Sequence, residues 1–561
     1  MSRRMRVVGA AASAAVLTVA LVVTPSSSAL ADTENQTEYT VVAGENVSVA
    51  DATAAITQAG GTVISSTTDV GMFHVVSSDT NFAAKAEAAP QLVGAVHKQV
   101  IGFAPNKPST VEKEQILAAS AAAARHPKVG ADPLDNLLWG MDMIHAPEAH
   151  KFEAGDKKVT VGILDTGLDA SHPDIAPNFN WPLSRNFAPD IPEIDGPCEV
   201  ASCLDPVGTD DGGHGTHVGG TVGAAANGIG VSGVAPKVSL VELKGGQDSG
   251  FFFLEPVINA LVFAGNAGID VVNMSFFTDP WLYNCQANPA DSPEEQAEQR
   301  AIVAAHQRAL TFAHRKGVTL VAALGNQHTD LGHPEAIPDT ISPDFPLNTE
   351  KTRTIDNATC LSLPTEGAFV IGVSALGPSQ KKSDFSNYGL EQISVAAPGG
   401  WFRDGFGTDT FRTNGNLILS TYPLKVLQEE GTVDADGNIV PGAEGLVFKE
   451  CTASGQCGYY TYLQGTSMAS PHAAGVAALI VSRFGFPDFA HPGTKTLNPN
   501  IVEFLLTRTA TEHACPNPPL QTYTNEGRPA EFNALCEGDA HFNGFYGRGI
   551  VDALNAVTLR F

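Results

Sequence analysis

The sequence predicts an α/β protein: a doubly wound, mostly parallel sheet preceded by a small ferredoxin-like α+β domain. Two observations support this fold class. From about residue 134 to residue 561, short apolar runs rich in β-branched residues alternate with alanine-rich runs of helical length. This alternation is typical of a parallel sheet covered by helices on both faces. Between residues 32 and 105, strand and helix patterns follow the order β-α-β-β-α-β.

The composition narrows the class of protein before any site is considered. The chain has 561 residues, too many for one compact domain, and its 43% hydrophobic content is enough for a large core. It carries 60 acidic against 33 basic side chains, for a formal net charge of -27. This excess argues against binding to nucleic acid, which needs a basic surface. It fits either a need for solubility or the binding of cations, and composition alone leaves both open.

The N-terminus has the organisation of an export signal. Three arginines within the first six residues precede an uncharged apolar run over residues 7–23, and Ala29-Leu30-Ala31 forms a small-x-small cleavage site. We predict a signal peptide over residues 1–31 and a secreted, extracellular product. A membrane anchor is the alternative, although the run is short for a span. Arg3-Arg4 leaves twin-arginine export open beside the general secretory route. No later apolar stretch predicts membrane attachment after processing.

Residues 32–105 are predicted to form the small domain, and residues 106–133 a linker that contains the maturation region. The elements of the small domain follow from period-2 and period-3.6 patterns. They are a strand at Glu38–Val42, a helix at Val49–Ala59, strands at Thr62–Ser65 and Met72–Val76, a helix at Asn81–Ala88 and a last strand within Val93–Phe103. Residues Ala118–Arg125 are predicted to be an exposed part of the linker.

Residues 134–561 are predicted to form the large domain. Its strands and helices are predicted at Val159–Leu164, Ser239–Leu243, Val257–Ala264, Val271–Met274, Ala301–Arg315, Thr319–Ala323, Phe369–Val373 and Ala473–Ser482. Two polar stretches rich in glycine, asparagine and aspartate interrupt the alternation, around residues 281–364 and 403–462. We predict that both stretches are surface loops.

Three short segments place reactive side chains beside glycines at element ends. They are Val161–Gly167, which ends a strand in Asp165, Gly213–Val218, which contains His214, and Gly465–His472, which opens an alanine-rich helix with Ser467. Alone, an Asp after a strand is often a turn residue and a Ser before a helix is usually a cap. Together the segments favour an active site, because active sites in α/β sheets lie beyond the carboxyl ends of strands.

These three residues form the set that acyl transfer by a serine requires. A serine hydroxyl is a weak nucleophile near neutral pH, so a base such as His214 must accept its proton. Asp165 would orient the imidazole and stabilise its charged form. The helix start at Ser467 places a backbone N–H near the developing negative charge. In a fourth segment, Leu320–Asn326, Asn326 is either a turn residue or the side-chain donor of an oxyanion hole.

The four segments resemble those of the subtilisin-like (subtilase) family of serine proteases. The chain order Asp, His, Ser separates the sequence from α/β-hydrolase esterases and chymotrypsin-like enzymes. The resemblance covers about residues 134–561, including a closing segment at Gly547–Ala553, and the residues before it resemble the family's inhibitory propeptide. It implies an endopeptidase that cleaves proteins or peptides, made as a self-processing precursor whose propeptide is an intramolecular inhibitor. We expect a monomer.

The resemblance also implies a structural calcium site. Residues Ala225–Val231 match the family's tight calcium loop, and oxygen ligands in this number suit calcium. The implied ligands are Asp135, Asp174, Ala225, Asn227, Ile229 and Val231. An ordinary loop of glycine and asparagine is the alternative interpretation.

The substrate site is likewise assigned from the resemblance. The implied substrate-binding residues are Gln247, Asp248, Ser249, Gly250, Ser275, Phe276, Phe277, Ala323, Leu324 and Gly325. Two of these stretches would bind a peptide as an added strand, which favours proteins over small esters as substrates. Phe276-Phe277 stands where the family usually has Leu-Gly, so the shape of the cleft is left open.

The eight cysteines fit an exported protein, since their number is even and no C-x-x-C spacing of a zinc site occurs. Eight cysteines permit 105 pairings. Proximity along the chain suggests Cys198–Cys203, Cys451–Cys457, Cys285–Cys360 and Cys515–Cys536.

Two functions outside proteolysis compete with the main hypothesis. One is a catalytically inactive subtilase fold that acts as a binding or inhibitory protein, although no triad position is missing. The other is an esterase or peptide ligase on the same scaffold, which no residue of the sequence recommends.

Overall fold

The computed structural model describes residues 36–98, 112–114, 132–334 and 352–560. The predicted signal peptide and most of the predicted linker, including Ala118–Arg125, lie outside these residues. Within the described ranges, no helix is long and apolar enough to cross a membrane. From Thr37 onward the chain forms one compact unit that contains a small antiparallel sheet and a large parallel sheet.

Residues 37–97 form the predicted ferredoxin-like fold. Their elements are β1 (Thr37–Ala43), α1 (Val49–Ala59), β2 (Thr62–Thr67), β3 (Met72–Ser77), α2 (Phe82–Glu87) and β4 (Leu92–His97). The strands pair antiparallel in the order β2-β3-β1-β4. The side chain of Ser48 caps the start of α1, and Gly60 ends it with a left-handed φ of 101°. The predicted elements are confirmed, except that residues 99–103 of the last predicted strand lie outside the described ranges.

The large domain contains the remaining elements. Its strands are β5 (Thr160–Asp165), β6 (Arg185–Asn186), β7 (Ser239–Lys244), β8 (Val271–Met274), β9 (Asn284–Cys285), β10 (Thr319–Ala323), β11 (Cys360–Leu361), β12 (Val370–Leu376), β13 (Val395–Pro398), β14 (Ile418–Tyr422), β15 (Val447–Cys451), β16 (Cys457–Leu463), β17 (Phe486–Pro487), β18 (Lys495–Thr496), β19 (Leu520–Gln521) and β20 (Ala534–Leu535). Its helices are α3 (Trp139–Met143), α4 (Ala146–Ala149), α5 (Pro192–Asp195), α6 (His214–Gly223), α7 (Leu254–Ala267), α8 (Pro293–Arg315), α9 (Leu424–Glu429), α10 (Thr466–Phe484), α11 (Pro499–Thr509) and α12 (Ala553–Thr558).

The large sheet confirms the predicted doubly wound α/β class. Seven strands pair parallel in the order β13-β12-β10-β8-β5-β7-β6. From β5 the chain continues to β7 on one side and then to β8, β10 and β12 on the other. Ligands of such sheets bind where the winding reverses, beyond the carboxyl ends of the strands. The carboxyl end of β5 is Asp165.

The small domain packs on helices α7 and α8 of the large domain. Strand β4 lies so close to α8 that a Cβ on Gly94 would be 3.2 Å from the carbonyl oxygen of Ala297. Val42 and Val96 are buried together with apolar residues of both helices. The small domain therefore shares part of its hydrophobic surface with the large one.

The prediction of surface loops is wrong for most of residues 418–463, and around α8 and β10 in residues 281–364 the loops are partly buried rather than on the surface. Residues 418–463 contain an antiparallel sheet in the order β14-β16-β15, with Tyr422, Tyr460 and Tyr462 buried. In the other stretch, Arg353 and Asp291 form an ion pair at 2.7 Å with both side chains fully buried. Polar composition suggested loops because it does not reveal when tyrosine or charged groups are buried with partners.

The four disulfides join the pairs that proximity suggested: Cys198–Cys203, Cys285–Cys360, Cys451–Cys457 and Cys515–Cys536. Cys285 and Cys360 are also directly opposite in the two-stranded pairing of β9 with β11. Every cysteine of the chain is therefore paired.

Candidate active site

Asp165 and His214 are in direct contact. Asp165 ends the buried strand β5 and is itself fully buried, whereas His214 is the first residue of α6. The distance between Asp165 Oδ1 and His214 Nδ1 is 2.7 Å. A Cβ on Gly215 would lie 2.1 Å from the carbonyl oxygen of Gly167, so only glycine lets α6 begin this close to the end of β5.

Ser467 lies at the start of the long central helix α10. The helix begins at Thr466, one residue earlier than predicted, with Gly465 as its N-cap. Ser467 is 5% exposed, and its Oγ lies 3.3 Å from the carbonyl oxygen of Ser275. The unpaired N–H groups and the dipole of the helix N-terminus favour negative charge at this point.

The partner of the Ser467 hydroxyl is a residue that sequence reasoning missed. Ser467 Oγ donates to Glu112 Oε1 at 2.9 Å, and the same oxygen lies 3.6 Å from His214 Nε2. The carboxylate of Glu112 thus lies between the serine and the histidine. Glu112 belongs to the predicted linker, where no local sequence pattern distinguishes it from other charged residues.

Glu112 also changes the electrostatics of the histidine. Burial disfavours the charged imidazolium, but the carboxylates of Asp165 and Glu112 outweigh it and raise the pKa of His214 well above its ordinary value. A protonated imidazole cannot accept a proton from Ser467. In the described structure, Glu112 rather than His214 accepts the hydrogen bond of the Ser467 hydroxyl.

Asn326 contacts the start of helix α10. Its Oδ1 accepts hydrogen bonds from the backbone N–H and the hydroxyl of Thr466, both at 2.9 Å. Its amide nitrogen and Glu112 Oε1 lie 3.4 and 3.3 Å from the point where a side chain on Gly465 would begin. The absence of a side chain at Gly465 leaves room for both groups. The Asn326 amide nitrogen and the Glu112 carboxylate thus both lie beside Gly465, at the start of α10.

Comparison with known proteins decides the family. Residues 156–549, more than half of the chain, match the subtilase family, peptidase S8. The chain belongs to the subtilase family. Subtilisin DY of Bacillus licheniformis is 27% identical over 347 residues, which cover 62% of this chain and 85% of that protein. The major intracellular serine protease of Bacillus subtilis is 29% identical over 351 residues, which cover 62% of this chain and 76% of that protein.

A solved structure supports the fold. The epidermin leader peptide processing serine protease of Staphylococcus aureus has a TM-score of 0.60 at 20% sequence identity, covering 94% of this chain and 100% of that one. The family and the curated relatives identify this subtilase as a subtilisin-type serine endopeptidase. Its substrates are peptides or proteins.

One predicted substrate-binding edge of this subtilase includes residues 275–277. Ser275 contacts the serine segment directly, because its Oγ donates to the carbonyl oxygen of Ser467 at 3.0 Å. Phe276 stacks on Phe252 with ring centroids 4.1 Å apart. Phe277 packs against a separate apolar cluster that contains Leu324. Both phenylalanines are half-buried among core neighbours, so their rings contribute to the support of this edge.

The opposite predicted edge, residues 247–250, is a turn that follows β7. Gly250 donates its N–H to the carbonyl oxygen of Gln247 at 2.9 Å, and Asp248 pairs with Lys244 at 2.6 Å. Ser249 donates its hydroxyl to Asp195 at 2.7 Å. A Cβ on Gly212 would lie 3.1 Å from the carbonyl oxygen of Asp248, so this edge adjoins the segment that carries His214.

The third predicted substrate segment is the end of β10, with Ala323, Leu324 and Gly325. Leu324 continues the pairing with β12, since its N–H donates to the carbonyl oxygen of Val373 at 3.1 Å. Gly325 has a φ of 102°, and its N–H donates to Thr466 Oγ1 at 2.9 Å. This contact ties the strand end to the start of α10 and places Asn326 beside Ser467.

The loop predicted to bind calcium folds around Asp174. Asp174 Oδ2 accepts from the hydroxyl of Tyr460 at 2.8 Å and from the N–H of Val231 at 3.1 Å. Its Oδ1 is buried without a hydrogen-bond partner among the described residues, and burial raises the pKa of this carboxyl to about 7. Asp174 with the implied loop ligands Ala225, Asn227, Ile229 and Val231 therefore fits a cation.

Asp135, the other predicted carboxylate ligand, contacts the residue that follows the loop. It accepts from the backbone N–H of Ser232 at 2.7 Å and from its hydroxyl at 3.0 Å. Its second oxygen also accepts from the N–H of Asp132 at 3.0 Å. Both carboxylate oxygens of Asp135 thus hold the loop by hydrogen bonds, and its role as a calcium ligand stays a prediction.

Proposed function

We propose that the chain is a secreted serine endopeptidase that acts through Asp165, His214 and Ser467 and is made as an inhibited, self-processing precursor. The observation that carries the proposal is the meeting of a buried aspartate, a histidine and a helix-start serine at one end of the parallel sheet, with a single carboxylate, that of Glu112, between the histidine and the serine. The family assignment supports the reaction class.

The reaction follows from the roles of these groups. Once Glu112 has left, Ser467 Oγ attacks the carbonyl carbon of the substrate and passes its proton to His214 Nε2. The Asn326 amide and the backbone N–H of Ser467 stabilise the oxyanion of the tetrahedral intermediate. His214 then protonates the leaving amine, which leaves an acyl-enzyme. Water repeats the sequence and releases the acid, while Asp165 stabilises the imidazolium in both halves.

Latency in the precursor would come from two contacts. The small domain, described over residues 37–97, packs on the outer helices α7 and α8, and the Glu112 carboxylate accepts the hydrogen bond of the Ser467 hydroxyl. Glu112 prevents the transfer of the serine proton in two ways, because it accepts that proton in a hydrogen bond and favours the charged histidine. Cleavage after residue 114, within the predicted window of residues 102–134, would separate both contacts from the peptidase domain.

Replacement of the nucleophile tests the proposal. Ser467→Ala should accumulate as a precursor cut at most by signal peptidase, and mature wild type should react at Ser467 with a fluorophosphonate probe. Ser482→Ala is the matched control, since it removes a buried hydroxyl from the far end of the same helix. A Ser467→Ala chain with a new N-terminus between residues 102 and 134 would refute self-processing. A mature wild type that does not label would favour an inactive binding protein.

Calcium binding at residues 225–231, with Asp174, is also proposed. Bound calcium would supply fixed positive charge beside the buried Asp174 carboxylate and hold the loop in place. If chelation leaves the melting temperature of the mature enzyme unchanged, the loop does not depend on a cation.

A further inference from the structure

Two arginines beside the active site hold a carboxylate of the chain's own linker. Glu114 Oε1 accepts from Arg403 Nε at 2.6 Å, and Glu114 Oε2 accepts from Arg528 Nη2 at 2.8 Å. Gln464 Nε2 donates to the same Oε2 at 3.4 Å. Each oxygen of the carboxylate thus has its own guanidinium. Arginine forks of this kind recognise carboxylates by charge and by geometry.

The two arginines bind a residue that is only two positions along the chain from Glu112, the residue at the catalytic serine. Glu112, whose carboxylate touches Ser467, also accepts at its carbonyl oxygen from the N–H of Gln464 at 3.2 Å. Residues 112 and 114 can be at most about 7 Å apart along the chain. A substrate peptide that follows the path of residues 112–114 would therefore place one side chain at the two arginines. The residue two positions before that side chain would lie at Ser467.

The path of residues 112–114 also indicates which side of the scissile bond is concerned. Apart from Ser467 and His214, the described partners of these residues are Gln464, Arg403, Arg528, Glu430 and the ring of Tyr422, none of which belongs to the two predicted edges. If those edges bind the acyl part of a substrate, the other side of Ser467 accepts the leaving part. The segment thus occupies the leaving-group side.

The two arginines differ in the hydrogen-bond acceptors that they keep when Glu114 leaves the site. Arg528 keeps the buried carboxylate of Asp384, to which its Nε donates at 2.6 Å. Arg403 keeps a neutral acceptor, the carbonyl oxygen of Glu526 at 2.9 Å. The described surroundings therefore neutralise Arg528 but leave Arg403 as a cation with free donor capacity. A vacated site would attract an anionic side chain.

We propose that Arg403 and Arg528 form a carboxylate-binding subsite that selects substrates with Asp or Glu shortly after the scissile bond. The proposal rests on the endopeptidase function proposed above and names its substrate class. In the precursor the same subsite would hold Glu114. One recognition element would then serve both inhibition and specificity.

Matched peptides test the subsite with the mature enzyme. The substrates are pairs of internally quenched peptides that the enzyme cleaves. The two members of a pair differ only in having Glu or Gln at the first, second or third position after the scissile bond. At one position Glu should raise kcat/KM about tenfold or more, mainly through KM, because the carboxylate gains charge-assisted hydrogen bonds. Arg403→Gln should abolish that preference.

The matched control is Arg412→Gln. Arg412 is exposed and lies near Arg403, since a Cβ on Gly527 would be 3.1 Å from one guanidinium and 3.3 Å from the other. Arg412→Gln removes the same charge from a side chain for which no contact with Glu114 is observed, so the preference for Glu should survive. Equal cleavage of Glu and Gln peptides at all three positions would overturn the subsite. So would a preference that survives Arg403→Gln. Cleavage of no peptide would instead contradict the endopeptidase function itself.

A second observation concerns three carboxylates around the Cys198–Cys203 disulfide. One oxygen each of Asp190, Glu199 and Asp205 lies within 4.8 Å of the other two. Asp190 is 6% exposed, and both of its oxygens are buried without a hydrogen-bond partner among the described residues. Burial and the charge of Asp205 raise the pKa of Asp190 to about 6. A buried carboxylate without donors is costly unless a cation compensates it.

The protein's own cations compensate this cluster only in part. Lys244 donates to Asp205 at 2.9 Å, but it also pairs with Asp248 at 2.6 Å. Lys425 lies 3.6 Å from Glu199, but it also pairs with Asp211 at 2.9 Å. We propose that Asp190, Glu199 and Asp205 bind a calcium ion, whose preferred ligands are carboxylate oxygens. The ion would stabilise the segment that contains Asp195, the acceptor of the Ser249 hydroxyl in the substrate edge.

Thermal unfolding of full-length Ser467→Ala tests this cation site by a change of sign. In chelator, adding Asp190→Asn should raise the melting temperature, because it removes repulsion among buried carboxylates. In millimolar calcium the same substitution should lower the melting temperature, because a ligand of the ion is lost. Terbium luminescence gives a second measurement, and Asp174→Asn, at the other proposed calcium site, is its control. The luminescence that Asp190→Asn removes should persist in Asp174→Asn. An effect of Asp190→Asn that is the same with and without calcium would overturn the site.

Discussion

His214 is contacted by two carboxylates that come from very different parts of the molecule. Asp165 ends a central strand of the large sheet, is fully buried and lies 2.7 Å from Nδ1. Glu112 belongs to residues 112–114, which are held by ion pairs and one backbone hydrogen bond, and lies 3.6 Å from Nε2. Both stabilise positive charge on the imidazole. One of these carboxylates belongs to the core of the large sheet, whereas the other belongs to a short segment outside it.

The largest expected effect comes from Asp165→Asn in the mature enzyme. The asparagine keeps the shape of the side chain but no longer stabilises the imidazolium or fixes its tautomer. We expect kcat to fall about 10⁴-fold with little change in KM. The measurement is steady-state cleavage of a peptide, with unchanged melting temperature as evidence of folding. A fall of less than about tenfold would contradict the role of Asp165.

Glu112→Gln in the precursor should act in the opposite direction. The amide cannot favour the charged histidine, so the blocked state loses a charge-assisted hydrogen bond and we expect processing to be about tenfold faster. The rate at which the processed chain appears after synthesis measures this. Glu444→Gln, at an exposed position, is the matched control. Unchanged or slower processing would mean that Glu112 does not block the site.

The smallest effect should be a pH dependence at the interface of the small domain. His74 lies 2.9 Å from Glu255 of α7, and His97 pairs with Glu298 of α8. Hydrogen bonds to these glutamates raise the pKa of both histidines above their ordinary value. Their contribution to stability is therefore fully present below about pH 6.5 and is lost as the pH rises through the raised pKa values.

This pH dependence can be measured in full-length Ser467→Ala. The melting temperature should exceed that of the His74→Gln, His97→Gln variant most at pH values below 6.5, and the difference should shrink as the pH rises. His541→Gln is the control, because His541 pairs with Glu512 on the exposed surface. A difference that grows with rising pH would refute the sign of the effect.

Local sequence predicted much of the fold because each element carries its own period. The parallel strands, the alanine-rich helices and the ferredoxin-like order are all visible as apolar patterns, and the confirmed elements follow them. The folded stretch at residues 418–463 was missed for the same reason. Its tyrosines are buried with their hydroxyls often bonded, as Tyr460 is to Asp174, and a polar composition does not reveal this.

The sequence by itself determined which residues could form a serine protease site, since Asp165, His214, Asn326 and Ser467 all stand at glycine-flanked element ends. Only the tertiary structure decided what faces them. Glu112 and Ser467 are 355 residues apart, and Arg403, Arg528 and Glu114 come from three separate segments. A glycine turn or a helix start constrains its own backbone, so it leaves a local pattern. An ion pair between distant segments constrains neither sequence locally, and only the folded chain brings its partners together.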